Sequence, residues 1–535
     1  MDDLSLESRR TDELVIGLVA PVASGASTSA KILCSLFERE FDYTTHYIRV
    51  SELLSKTEET FGATIKDLPG GNAEPPHTRI SRLQGVGDKL RERFGPGYLA
   101  EKVVEKIALD RVLSDVGGYA DAKDDRLVAI PRRRVHIIDA LKHPREAGLL
   151  REVYGDTFWL FGIFAPEEVR RYRLIRLGHN SVDLPRSMER DEEEGLEHGQ
   201  KVRDTIHESD FFVRNDGISE GPLERTLKRY LSILFGVGIN TPTLDEVAMY
   251  SAASQASSSA CLSRQVGAAI YSKAGELIGV GANDVPNPLV GGLYCAEDRD
   301  GDHRCFRVMG GICHNDHRKS MLYNAIFHEL KEDGVLAGGV RYPAVEAALR
   351  RTDIRNLIEY SRDVHAEMEA IISVARGNKP GLLGASLYAT TFPCHNCARH
   401  IVASGIAKVV YIEPYTKSLA LTLHGDAISL NVGDAEKESV FLQYEGVAPK
   451  NFIRLFPNGQ ARKAEGKLVT VNPRGASPVL PSPLDGFSTR EQIILKALHR
   501  TEQTPAGQNK SDEDVVDGSK KGPPGPTQLS LVDPK

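Results

Sequence analysis

Two short motifs constrain this 535-residue chain more than anything else in it: His365-Ala366-Glu367, and Pro393-Cys394-His395-Asn396-Cys397. A predicted helix over 365–375 and a predicted strand over 385–391 separate them. Cys394 and Cys397 stand three apart at the start of a further predicted helix, so both sulfurs can face one ion. The positive end of a helix favours thiolate over thiol there. His365 opens the preceding helix and adds an imidazole. These are ligands that zinc prefers, and they are one short of the closed tetrahedron of a structural site. The fourth place is left for water, whose pKa a bound zinc lowers to roughly 7. Glu367, two residues past the histidine, sits close to that place without being needed as a ligand. Pro393 stiffens the turn before Cys394. Whatever the chain folds into must bring two helix N-termini to one point.

Read together, the motifs are H-x-E…P-C-x-x-C, the pattern of zinc-dependent nucleobase and nucleotide deaminases. A zinc knuckle, or a core histidine beside an unrelated C-x-x-C, would need the glutamate offset, the proline and the strand–turn–helix setting to coincide by chance. Ser263-Arg264-Gln265-Val266-Gly267-Ala268 and Gly279-Val280-Gly281-Ala282-Asn283 precede the two motifs. In order and spacing the four segments resemble the deoxycytidylate deaminase family, part of the cytidine deaminase superfamily. The resemblance covers roughly residues 244–456, with a large insertion near 285–360. It implies a cytidine-deaminase-like α/β/α mixed sheet, zinc at two helix N-termini, and a free cytosine nucleotide as substrate. In this reading Glu367 takes a proton from the water, gives it to N3 of cytosine and later protonates the leaving amine. Attack at C4 releases ammonia and leaves uracil.

Four further residues are candidate substrate contacts. Asn283 matches the family position that contacts sugar and base, and its amide can both donate and accept; it is equally a turn asparagine. The family's Gly-Tyr-Asn-Gly is Gly281-Ala282-Asn283-Asp284 here, without the tyrosine. Arg264 either pairs with a phosphate or is a solvated surface arginine. Tyr415 either stacks on the base or packs in the core. Lys417 either reaches a phosphate or lies in water.

The chain is large enough for two to four domains. Its net charge of −7 argues against broad nonspecific nucleic-acid binding. No stretch approaches the roughly 18 apolar residues of a membrane span, and the N-terminus lacks the apolar core of a signal peptide. A cytoplasmic protein is expected. Seven cysteines in such a chain suggest metal binding or burial before disulfides. Cys295, Cys305 and Cys313 fall in the insertion with His303. Three thiols and an imidazole would close a second, structural zinc site, although no C-x-x-C is among them. Free buried or exposed thiols are the alternative. Cys34 and Cys261 sit in apolar contexts and read as core.

The first half alternates strand and helix, with predicted strands at 13–20, 45–50, 134–139, 157–164 and 209–215, which argues for a parallel α/β sheet. Ala20-Pro21-Val22-Ala23-Ser24-Gly25-Ala26-Ser27 follows the first strand and opens a helix. That is the place of a P-loop, G-x-x-x-x-G-K-[S/T]. Gly25 and Ser27 match, Ala20 replaces the first glycine, and Ala26 replaces the lysine. Backbone amides at a helix start can still cradle phosphate. The missing lysine removes the charge that phosphoryl transfer places on the β- and γ-phosphates; Lys31, one turn on, is a candidate substitute. Asp139 ends a strand as a Walker-B acid would. Arg170, Arg171 and Arg173 occupy either a basic lid helix or a solvated face. The half reads as a nucleotide-kinase-like P-loop fold that binds ATP, GTP or a deoxynucleoside triphosphate without being an efficient kinase.

Residues 1–238 are thus expected to form the P-loop unit, 239–474 the deaminase and 475–535 a flexible tail rich in proline, glycine, serine and charge. A P-loop-like module ahead of such a deaminase is similar to the anti-phage dCTP deaminase family of bacteria. That resemblance implies conversion of dCTP or dCMP during phage infection, draining a precursor of phage DNA. It also implies a homo-oligomer and, in some members, restraint by a small RNA. Two other readings compete with it. One is a nucleic-acid cytosine deaminase, which should show a basic groove and stacking aromatics. The other is a nucleotide sensor whose P-loop half does the work.

Overall fold

The computed structural model describes residues 10–61, 76–114, 119–121, 127–129, 132–179, 188, 199–217, 219–288, 291–296, 301–308, 310–377, 381–415, 417–457, 461–480 and 482–503. Two six-stranded sheets organise it. The first contains β1 (Leu14–Val19), β2 (Thr44–Arg49), β3 (Arg134–Leu141), β4 (Phe158–Phe164) and β5 (Phe211–Arg214). They run parallel in the order β2-β3-β1-β4-β5. Every side chain of β1 and β4 is buried. This is why both read as unbroken apolar runs: a parallel strand covered on both faces has no solvent side to alternate with.

Helices cover the two faces. On one lies α1 (Ala26–Phe41) and on the other α2 (Tyr98–Ser114), while α3 (Glu167–Arg176) follows β4 and α4 (Gly221–Leu234) packs beside α1. Next comes α5 (Leu244–Ala256), whose start is closed by a capping box of Thr243 and Glu246. It lies on the second sheet.

That sheet is built from β6 (Gly267–Tyr271), β7 (Leu277–Ala282), β8 (Ser386–Thr391), β9 (Lys408–Glu413), β10 (Ile428–Ser429) and β11 (Ser439–Gln443). Its order is β7-β6-β8-β9-β11-β10, antiparallel across β7, β6 and β8 and parallel beyond. The insertion between β7 and β8 contains α6 (His314–Glu332). Two helices cover the face opposite α5: α7 (Ala366–Arg376) and α8 (His395–Ala403). A Cβ on Gly281 would stand 2.3 Å from the Ala366 carbonyl oxygen, and one on Gly279 2.7 Å from that of Ala370. The bare backbone of β7 lets α7 lie directly on the sheet.

The last described segment returns to the first sheet. β12 (Gly446–Val447) pairs antiparallel with β5, and α9 (Leu484–Gln503) packs on α2. Residues 484–503, expected in a flexible tail, are therefore helical; residues 504–535 lie outside the described residues. The physical reason is an internal charge. Arg111 on α2 is 0 % exposed and is held between Glu13 at 2.5 Å and Glu491 of α9 at 2.6 Å. Phe487 and Leu498 of α9 are buried, and the Arg111 guanidinium lies 5.3 Å over the Phe487 ring. Burial alone would raise the pKa of Glu13, but Arg111 and His136 outweigh it and hold the group at about 2.

Removing one partner of a buried ion network strands the other charge. Glu491→Ala is expected to lower unfolding stability by ~3–5 kcal/mol in urea titrations. Because the folded pKa of Glu13 lies below its ordinary 4.5, its contribution is complete above that pH and is lost as pH falls through 2. Stability measured down this window should decline more steeply in the natural protein than in Glu13→Gln.

Candidate active site

The site forms where α7 and α8 begin. His365 caps α7 in an extended conformation, and Cys394 does the same for α8, its sulfur accepting from the Cys397 amide at 3.4 Å. Parallel β8 and β9 place the start of α8 beside that of α7. His365 Nδ1 then lies 3.3 Å from Cys394 Sγ and 3.4 Å from Cys397 Sγ. The three ligand atoms all fall within 4.8 Å of one another. Glu367 Oε2 is 3.5 Å from Cys397 Sγ, and the carboxylate is buried. The second strand of support is a bridge between Asp284 and Val364, one residue before the histidine.

The three groups hold their protons unequally. The Cys394 thiol is pulled down to about 4, chiefly by a hydrogen bond from Cys397 and with His365 adding to it against burial. The hydrogen bond to Cys394 raises His365 to about 9. Cys397 is pushed up by its neighbour sulfur and by burial. Burial, then the charge on Cys394, raises Glu367. A thiolate, a second thiol and an imidazole gathered this closely fit a zinc ion as ligands. Among the described residues no fourth donor joins the group, so the set is that of an open centre rather than a closed one.

A cavity of about 190 Å³ opens onto Glu367, His365 and Cys394, walled by Phe392, Tyr415 and Asn283. Asn283 is committed to the backbone: its Oδ1 accepts from Val266 N at 2.7 Å and its Nδ2 donates to Arg264 O at 2.8 Å. It shapes the turn that borders the cavity. Arg264 is paired with Glu413 and lies 6.0 Å over the Tyr415 ring. Lys417 is exposed and does not border the cavity. The insertion supplies wall residues that motif reading did not single out, Asn315 and Ile358, together with Cys313, which it had placed in the second zinc set. Phe392, also on the wall, had a signal in its place before Pro393. Cys295, Cys305, Cys313 and His303 do not come together as a donor group among the described residues. Cys305 is buried and Cys295 exposed, so the expected second zinc set in the insertion is not assembled.

The 20–27 loop joins β1 to α1, with Gly25 at φ +95° as the helix cap. A Cβ there would fall 2.1 Å from Asn215 Nδ2. Three loop carbonyls are taken by side chains: Ala20 by Lys142, Ala23 by Arg173 and Ser24 by Asn215, at 2.8, 3.1 and 2.7 Å. Ser27 and Tyr47 both donate to Asp139, each at 2.6 Å. Lys31 stays exposed. The ammonium near the loop is instead that of Lys142, beyond the end of β3. A larger cleft of about 1110 Å³ runs from Pro21, Arg170 and Arg214 to Phe392 and Tyr415, which it shares with the first cavity.

Residues 242–413 match the cytidine and deoxycytidylate deaminase zinc-binding region. The C-terminal half of the chain therefore carries a deaminase-type domain of the cytidine and deoxycytidylate class. Similar curated proteins include the deoxycytidylate deaminase of Enterobacteria phage T4, 46% identical over 56 residues, which are 10% of this chain and 28% of that protein. ComE operon protein 2 of Bacillus subtilis is 37% identical over 83 residues, 16% of this chain and 40% of that protein. The chain thus spans well under half the length of these relatives. Among solved structures, cyanophage S-TIM5 dCMP deaminase with dCMP and dUMP aligns at 17% identity and TM-score 0.23, covering 38% of this chain and 99% of that one. Shikimate kinase from Acinetobacter baumannii aligns at 12% identity and TM-score 0.22, covering 42% of this chain and 93% of that one.

His365→Ala and Cys397→Ser should each lose about one equivalent of zinc per chain, read by elemental analysis of gel-filtered protein. Asn283→Ala, which removes only turn contacts, should retain it.

Proposed function

We propose that the protein is a zinc-dependent hydrolase that deaminates a free deoxycytidine nucleotide, dCTP or dCMP, to the uracil nucleotide and ammonia. The observation that carries this is the meeting of His365 Nδ1 with two sulfurs at 3.3 and 3.4 Å, beside a buried Glu367, on a cavity sized for a base. His365, Cys394 and Cys397 would hold the zinc, which supplies an activated water. Everything else falls to side chains. Glu367 holds a proton readily because burial raises its pKa. It accepts one from the water, passes it to N3 of the pyrimidine, and returns a proton to the amine that leaves C4. Water adds one oxygen at C4, ammonia departs, and the ring becomes uracil. Phe392 and Tyr415 offer aromatic faces for the base, and both continue into the larger cleft, where arginines suit a phosphate chain.

For the first sheet we propose a nucleotide-kinase-like P-loop unit formed by residues 1–238 with the returning segment 446–503, the deaminase unit filling 239–445. The order β2-β3-β1-β4-β5 and the glycine-capped loop before α1 support this. With Ala26 in the lysine position, binding of a nucleotide is favoured over phosphoryl transfer. Among the described residues no helix is long and apolar enough to cross a membrane. The proposed setting is the cytoplasm, as a homo-oligomer depleting dCTP during phage infection, with a small RNA as restraint. These last points rest on the family resemblance.

Zinc-loaded protein incubated separately with dCTP, dCMP and single-stranded DNA should yield uracil from a free nucleotide, read by chromatography. Product from DNA alone would refute the assignment. Glu367→Ala should keep its zinc and lose ~10²–10⁴-fold in rate. Undiminished turnover in that variant would remove Glu367 from the chemistry.

A further inference from the structure

A second group of donors lies in the first sheet, far along the chain from the cysteines. His46 on β2 and His136 on β3 are register partners. Their side chains point to the same face, with ring centroids 4.9 Å apart at 23°. Asp110 descends on them from α2. One ligand atom from each of the three lies within 4.8 Å of the others. Nothing in the deaminase chemistry uses these residues.

His136 is fully buried, and among the described residues neither of its ring nitrogens has a well-aligned hydrogen-bond partner. An imidazole nitrogen stranded in this way is costly unless something occupies it. Its Nε2 faces Glu13 Oε1 at 3.3 Å. A carboxylate on one ring nitrogen fixes the imidazole's orientation and raises the basicity of the other, as in the carboxylate–histidine–metal arrangements of metal centres. Asp110 is paired through one carboxylate oxygen with Lys106 of the same helix. Glu13 in turn is anchored by Arg111. The pieces of a metal shell and of its outer support are therefore both in place.

We propose that His46, His136 and Asp110 hold a divalent transition-metal ion of the zinc class, a structural site separate from the deaminase centre. Two imidazoles and a carboxylate are borderline nitrogen and oxygen donors, suited to zinc or cobalt(II) and poorly suited to calcium or magnesium. The ion would tie β2 and its neighbour β3 to α2; among the described residues β2 is the sheet's edge strand.

The test is a cobalt(II) titration of metal-free full-length protein, followed by zinc analysis. The deaminase centre has two sulfurs, so its cobalt form shows thiolate-to-metal charge transfer. The proposed site has none. The expected result is uptake of about two equivalents, with the charge-transfer band complete after one of them. Asp110→Asn and His46→Ala should each take up about one equivalent fewer while the band is unchanged. Cys394→Ser should lose the band and keep the other equivalent. Asp110→Asn keeps the shape of the side chain and serves if His46→Ala does not fold. Uptake that ends at one equivalent overturns the proposal. So does a second equivalent that strengthens the thiolate band or survives both variants.

Discussion

The close approach of α7 to β7 is the contact on which the candidate site depends. A helix resting on a strand is normally held off by the strand's own side chains. Here Gly279 and Gly281 have none, and the carbonyls of Ala366 and Ala370 occupy the space that a Cβ would fill. The helix is thus seated by its backbone, and His365 at its first turn inherits that position. The bridge from Asp284 to Val364 ties the same turn to the end of β7. On the other side, α8 starts directly off β8, and Cys394 and Cys397 follow from it. Two backbone-seated helix starts, rather than flexible loops, bring the imidazole and the sulfurs within 4.8 Å. Such sites can be held tightly because little side-chain freedom remains to be lost.

Much of this was legible from residue order. Helix starts at His365 and Cys394, the strands about them and the parallel strands of the first half follow from apolar period and from spacing. The wall of the cavity was not legible in the same way. Cys313, Asn315 and Ile358 come from an insertion whose path depends on long-range contacts: Arg304 grips Asp302 and reaches toward Asp284 at 3.7 Å. No local pattern announces a pairing of that kind. Asn283 could be read as a ligand contact or as a turn asparagine; the folded turn gives it bonds to Val266 and Arg264 while it also borders the cavity.

The C-terminal segment misled for a related reason. Proline, glycine and charge near residue 475 are what a linker contains, and composition cannot tell an exposed charge from one that completes a buried pair. Glu491 is 2 % exposed because Arg111 is there to receive it. Such a network adds little over an apolar core of equal volume. What it does provide is a unique docking register for α9 on α2, since any slip would leave a buried guanidinium without its second carboxylate.

The two sheets are joined by more than a peptide linker. β11 ends at Gln443, and β12, which belongs to the other sheet, starts at Gly446. Between them Tyr444 is fully buried and donates to Val447 O at 2.7 Å. Glu246, in the cap of α5, accepts from the Val447 amide at 3.0 Å and from Arg229 of α4 at 2.7 Å. One glutamate therefore fastens a helix of each half and the strand that passes between them. The apolar core is continuous across the same place, from Phe212 through Tyr444 to Tyr388. Hinge motion at this seam would expose a buried carboxylate and a tyrosine hydroxyl together, so the seam resists opening. The cleft that runs from Pro21 to Tyr415 is lined from both halves and reaches Gln443, the last residue of β11 before this joint.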